Sequence, residues 1–244
     1  MPSSLVLFYL LLFVVAFLYA SVGHGGASGY LALMAFFSFA PENMRFTALL
    51  LNIGVSLIAF VQYYRNGHFN WHLFWPFALA SIPAAFLGGM IVVDAGLYKK
   101  ILAVLLLFSV VRLLGLKFTG KTFVLKQSLP LALFIGAIIG LFSGMIGIGG
   151  GIILSPLILL LHWAKMKETA AISALFIFVN SIAGLGGVVA HGLSLGQESL
   201  WMLAIVLGGG MAGAYYGAKK FETALLSKLL ALVLLIASFK LIFT

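Results

Sequence analysis

Residues 140–156 read Gly-Leu-Phe-Ser-Gly-Met-Ile-Gly-Ile-Gly-Gly-Gly-Ile-Ile-Leu-Ser-Pro, and residues 16–32 read Ala-Phe-Leu-Tyr-Ala-Ser-Val-Gly-His-Gly-Gly-Ala-Ser-Gly-Tyr-Leu-Ala. At an offset of 124, Gly23, Gly25 and Gly26 fall on Gly147, Gly149 and Gly150, and Ala16 and Ala20 fall on Gly140 and Gly144. Further on, at an offset of 126, Thr47-Ala48-Leu49 meets Ser173-Ala174-Leu175; at 129, Ala80, Ala84 and Gly88 meet Gly209, Gly213 and Gly217. The chain reads as one unit written twice, residues 1–115 and 128–244, joined by a basic linker over 116–127.

Composition names the solvent of that unit. Of 244 residues, 64% are hydrophobic and 8% charged, with a mean hydropathy of +1.22, against about 25% charged in an ordinary soluble domain. So few charges cannot cover a globule in water, and the surroundings must be lipid. Hydrophobic runs near 4–21, 27–40, 45–63, 71–93, 97–115, 128–145, 151–163, 168–190, 198–217 and 222–243 give ten helical segments. At ~20 residues per span they leave no room for a catalytic domain outside the membrane. With no cysteine, disulfides, thiolate metal sites and cysteine nucleophiles are excluded. The net charge of +9 reports orientation here rather than nucleic-acid binding.

Five segments per copy is an odd number, so the second copy enters the membrane from the opposite face: an all-α polytopic protein of two inverted-topology repeats. If every segment reverses direction, Arg65, Arg112, Lys117, Lys121, Lys126, Lys165, Lys167, Lys219, Lys220 and Lys228 share one side. Arg45, Lys99, Lys100 and Lys240 take the other. The excess places the linker in the cytoplasm and both termini outside an inner, cytoplasmic membrane. The second and seventh segments are too short for a ~30 Å core. Their shortness favours a re-entrant or broken helix at each glycine loop, and two short full spans remain open.

Broken backbone at membrane depth is tolerated where it is buried in protein or lines a cavity. A new helix starts after each break, near Ala27 and Ile152, so free N–H groups and a positive dipole end face the gap. Two such ends make an anion site without basic side chains. The candidate binding residues are therefore Gly23, His24, Gly25 and Gly26 in the first copy and Gly147, Gly149, Gly150 and Gly151 in the second. Thr47, Asn52, Ser173 and Asn180 in the third segments of the two copies are neutral hydrogen-bond donors. His24 is the candidate for proton coupling. Gly136, Gly140, Gly144, Gly209, Gly213 and Gly217 lie along helix faces and read as packing residues. Trp71, Trp75, Trp163 and Trp201 read as interfacial belts.

Glu42, Asp94, Glu168, Glu198 and Glu222 all lie at loops or segment ends, which argues against a cation pump. No catalytic constellation, metal motif or P-loop is present, so neither an enzyme nor a resident cofactor is expected.

The two glycine loops, with Pro156 after the second, and the Ile172-Ser173-Ala174-Leu175 and Thr47-Ala48-Leu49 stretches together resemble the TauE/SafE family of sulfite and organosulfonate exporters. Ala27 and Ala32 stand in the first half where the second has Gly151 and Pro156. The resemblance implies export, or facilitated passage, of small sulfur-containing or carboxylated organic anions, and alternating access around one anion held between the two glycine loops is the mechanism expected. An anion channel and a non-transporting membrane subunit are the alternatives. The particular anion, the coupling ion, the direction of flux and homo-oligomer formation are left open.

Overall fold

A computed structural model of the chain describes residues 3–21, 25–114, 126–192, 197–220 and 223–243. Gly23, His24 and nearly all of the linker lie outside them. The described residues form ten helices and no strand: α1 (Ser3–Ser21), α2 (Ala27–Phe36), α3 (Pro41–Arg65), α4 (Trp71–Met90), α5 (Ala95–Leu113), α6 (Leu129–Ile146), α7 (Gly151–Leu160), α8 (Met166–Ala190), α9 (Gln197–Lys220) and α10 (Thr223–Phe243). By length and composition α3, α4, α6 and nearly all of α8 are long and apolar enough to cross a membrane. Large apolar side chains such as Leu10, Val104 and Phe134 point outward, as expected of a protein whose outer surface meets hydrocarbon.

Matching backbone features stand about 124 residues apart along the chain. α2 and α7 have ten residues each, and α3 and α8 have 25 each. After α2, the amides of Phe37, Ser38 and Phe39 donate to Leu33, Ala35 and Met34. After α7, those of Leu161, His162 and Trp163 donate to Leu157, Leu159 and Ile158, the same bonds 124 residues on. Among the described residues Ser38 and His162 are also the non-glycine residues of positive φ, at 60° and 55°. α3 and α8 end on matching turns closed by Asn66 and Gly67 and by His191 and Gly192. A ten-residue helix is about 15 Å long, half a hydrocarbon core. α2 is buried along almost all of its length, so the short helices lie within the protein.

Close packing sets the helix directions. A methyl group on Gly136, Gly140 or Gly144 of α6 would meet the carbonyls of Phe77, Ser81 and Ala85 of α4 in the same order, so α4 and α6 run parallel. Gly209 and Gly213 of α9 meet the carbonyls of Phe13 and Phe17, so α1 and α9 also run parallel. These are the small-residue interfaces expected where lipid offers no hydrophobic drive between helices. The side-chain surroundings of Gly217 lie outside the description. Phe46 and Val188 share one cluster, Leu49 packs on Gly184, and Tyr63 and Thr169 line one cavity, so α3 and α8 run antiparallel.

One expectation is corrected. Trp71, Trp75 and Trp201 are exposed, whereas Trp163 is 7% exposed and packs 6.0 Å from Phe77. The left-handed turn at His162 tucks the chain back under α7 and takes the indole inside.

Candidate functional site

α6 ends at a left-handed Gly147 (φ 88°), and α7 starts from Gly150, also left-handed (φ 75°), with Gly149 between them at φ 76°. Three residues of that hand in four positions are open to glycine and costly for other residues. In the first half α2 starts after Gly26 with φ −83°, so that turn needs glycine for another reason: a methyl group there would strike the Tyr30 ring. The two bends differ in conformation and share a purpose, since each starts a short buried helix whose first N–H groups have no acceptor within the helix.

Both helix starts reach one cavity. It has a volume of about 130 Å³ and is lined at one end by Gly25 and Ser28 of the first half and Ile148, Gly151 and Ile152 of the second. Its walls are Ser56, Ala59 and Tyr63 of α3 and Ser173, Ala174 and Ile177 of α8, and Lys167 and Thr169 stand at the end where α8 begins. Drug-sized pockets run to roughly 300–1,000 Å³, so only a small solute fits. Among the described residues its lining carries hydroxyls, one cation and no carboxylate.

Behind the cavity wall, next to Gly25, lies Asn52, fully buried, with neither its amide nitrogen nor its amide oxygen hydrogen-bonded. The amide sits between the two bends: a methyl group on Gly149 would lie 2.7 Å from Nδ2, and one on Gly25 4.0 Å from Oδ1. Ser181 Oγ is also buried and unpartnered, 3.4 Å from the same point on Gly149. Thr169 Oγ1 is a further buried hydroxyl without a partner. Leaving each such group unpaired costs about 1–3 kcal/mol; Ser81, Ser143 and Asn180 carry others elsewhere, and the juxtaposition of Asn52 and Ser181 beside Gly149 marks a place that a polar solute would complete. Other hydroxyls are tied down: Ser155 to Ser173 at 2.7 Å, Ser28 to Tyr19 at 2.7 Å, and Ser56 to the Asn52 carbonyl at 2.5 Å.

Of the residues expected at the site, Gly25, Gly151 and Ser173 line the cavity, and Gly149 and Asn52 meet behind it. Gly26 and Gly150 cap α2 and α7, and Gly147 ends α6. Thr47 faces elsewhere, its hydroxyl 3.1 Å from Ser199 Oγ. Asn180 Nδ2 bonds back to the Phe176 carbonyl, 2.8 Å away, and its Oδ1 has no partner. Sequence reasoning missed Ser56, Tyr63, Lys167, Thr169 and Ser181. The signal for two of them was present: Asn52, Ser56, Ala59 and Tyr63 recur at spacings of four, three and four, one face of a helix.

The profile of the family described as "Sulfite exporter TauE/SafE" matches residues 8–241. The chain belongs to that family. It is 36% identical over 234 residues to a protein of Sinorhizobium fredii named "Probable membrane transporter protein y4hK", covering 94% of this chain and 95% of the relative. "Probable membrane transporter protein MJ0441" of Methanocaldococcus jannaschii is 26% identical over 182 residues, 71% of this chain and 68% of its own length. "Probable membrane transporter protein YunE" of Bacillus subtilis is 29% identical over 127 residues, 51% and 45%. No solved structure matches. For this TauE/SafE family member, whose relatives are named as transporters rather than enzymes, the carboxylate-free cavity is where transport chemistry would be sought.

Proposed function

We propose that the chain carries small sulfur-containing or organic anions, of the size of sulfite or a short sulfonate, out across the cytoplasmic membrane by alternating access. The observation that carries this reading is the Asn52 amide, buried and unpartnered between Gly25 and Gly149, one from each half, behind a cavity whose charged lining residue is Lys167. The Nδ2 hydrogens, the first amides of α2 and α7 and the Ser181 hydroxyl supply donors to an oxyanion, while Thr169, about 18 Å earlier along α8, stands near Lys167 on the way in. Lys167 draws it in. Two helix N-termini add favourable potential for a negative charge.

The inverted-repeat reading is supported by the helix directions. α3 and α8 are equivalent by length and by their closing turns, yet they run antiparallel, as equivalent elements of oppositely inserted halves do. In that arrangement the cavity's Lys167 end faces the linker, on the cytoplasmic side. The family description, which names sulfite export, points to the same solute class.

The test uses proteoliposomes and labelled sulfite or sulfoacetate. The wild-type chain should show saturable uptake and counterflow, and Asn52→Leu should lose both while inserting normally. Flux without counterflow would mark a channel. Unchanged flux in Asn52→Leu would refute the site, and failure of every small anion to move would leave a non-transporting subunit.

A further inference from the structure

α3 carries a polar stripe beyond the cavity already described. Arg45 lies seven residues before Asn52, two turns away on the same helix face and about 10 Å along the axis. It is 6% exposed, a cation taken almost wholly out of solvent. Its Nη1 donates to the Ile91 carbonyl at 2.7 Å and, at 3.4 Å, to that of Met145; Nη2 donates to the Gly89 carbonyl. These carbonyls end α4 and α6, whose dipoles offset part of the charge. Nε has no acceptor, and among the described residues no carboxylate lies within salt-bridge distance. Glu42, one turn earlier on α3, is the acidic group that acts on it from outside salt-bridge distance, so the buried guanidinium is only partly compensated and remains an expensive arrangement unless something supplies further negative charge.

Beside Arg45 is a second cavity of about 240 Å³, lined also by Glu42, Tyr98, Val92 and His191. It lies where α3 starts and α4 and α8 end, the opposite side from Lys167. The glycine bend separates the two cavities: Ile148 lines the first, and a methyl group on Gly147 would lie 2.9 Å from the Arg45 carbonyl and 3.3 Å from its Cγ. Tyr98 Oη donates to the Ile146 carbonyl, 2.9 Å away, holding α5 against the same bend.

We infer that this second cavity is a separate anion-binding site, with the Arg45 guanidinium as its charged donor, on the far side of the glycine bend from Asn52. Resting on the transport reading, it is the station an oxyanion reaches after the bend, and the α3 face from Tyr63 through Asn52 to Arg45 is the route. Glu42 at the rim keeps the site from holding the anion too tightly, as a path that must also release its cargo requires.

Bromide serves as the probe, because its anomalous scattering locates it directly in crystals of the full chain. The wild-type protein should show a bromide peak within hydrogen-bonding distance of the Arg45 guanidinium, in the cavity shared with Tyr98 and His191. Asn52→Ala should retain that peak, and Arg45→Gln should lose it. An Arg45 peak without one at Asn52 sustains this inference while undermining the first site. Absence of the Arg45 peak in wild-type crystals overturns it, whatever is found at Asn52 and whether or not Arg45→Gln folds. A peak confined to the exposed lysines overturns it too.

Discussion

Asn52 and Thr47 are five residues apart on one helix, both buried and both polar, and their circumstances are opposite. Thr47 has Ser199; Asn52 has no hydrogen-bond partner for its side chain. Asn52→Leu, close in volume, removes two unpaired polar groups from the interior and should leave thermal stability unchanged or raised, because no internal hydrogen bond is lost. The same variant should lose the thermal shift that a bound oxyanion gives the wild type. Thr47→Val leaves Ser199 without its partner and should cost about 1 kcal/mol of stability, while transport in proteoliposomes stays at the wild-type level. Denaturation and flux measured on both variants check the pair, and equal loss of transport in the two would contradict it. At this scale the sequence could nominate buried polar residues and could not rank them. Which way a hydroxyl on α3 faces depends on whether α9 or a cavity lies opposite, a fact of tertiary packing.

Among elements, the glycines divide by what a side chain would strike. Gly187 of α8 presses its backbone against the Phe86 carbonyl of α4, whereas a methyl group on its neighbour Gly186 would meet only the Phe86 ring edge at 3.6 Å, an ordinary contact. Gly187→Ala should therefore separate α4 from α8 and sharply reduce recovery of folded monodisperse protein. Gly186→Ala should be neutral or stabilising by up to about 1 kcal/mol, since alanine favours the helix. Size-exclusion profiles after detergent extraction, with thermal melts, measure both. Gly149→Val fails for a different reason: its φ of 76° and its approach to Asn52 and Ile177 both forbid a branched side chain. That variant should insert into the membrane and carry no anion, read as normal membrane yield with absent counterflow. Most helix boundaries and the left-handed bend at Gly147, Gly149 and Gly150 were legible in the sequence, whereas Gly23 and His24 of the first loop lie outside the described residues. The short helices are three or four residues shorter than expected, since Ser38 and His162 turn the chain back by taking a left-handed φ that no residue type there announces.

For the molecule as a whole, the decisive property is the relative orientation of the two halves, and it follows from a pair of equivalent loops. The turn after α3, at Asn66, and the turn after α8, at His191, close with the same pattern of hydrogen bonds. Two halves inserted alike would put these turns on one side of the membrane; oppositely inserted halves put them on different sides. On the proposed orientation Asn66 lies in the cytoplasm beside the linker and His191 outside. Both residues are exposed, and the chain has no cysteine of its own, so single cysteines report cleanly. His191→Cys should react with a membrane-impermeant maleimide in intact cells. Asn66→Cys should react only after the membrane is opened, and prior reaction with a permeant maleimide should block both. Labelling of the two positions from the same side would remove the inverted pair. With it would go the proposed reason for two helix N-termini to face one anion from opposite leaflets at the cavity that Gly25 and Gly151 both line.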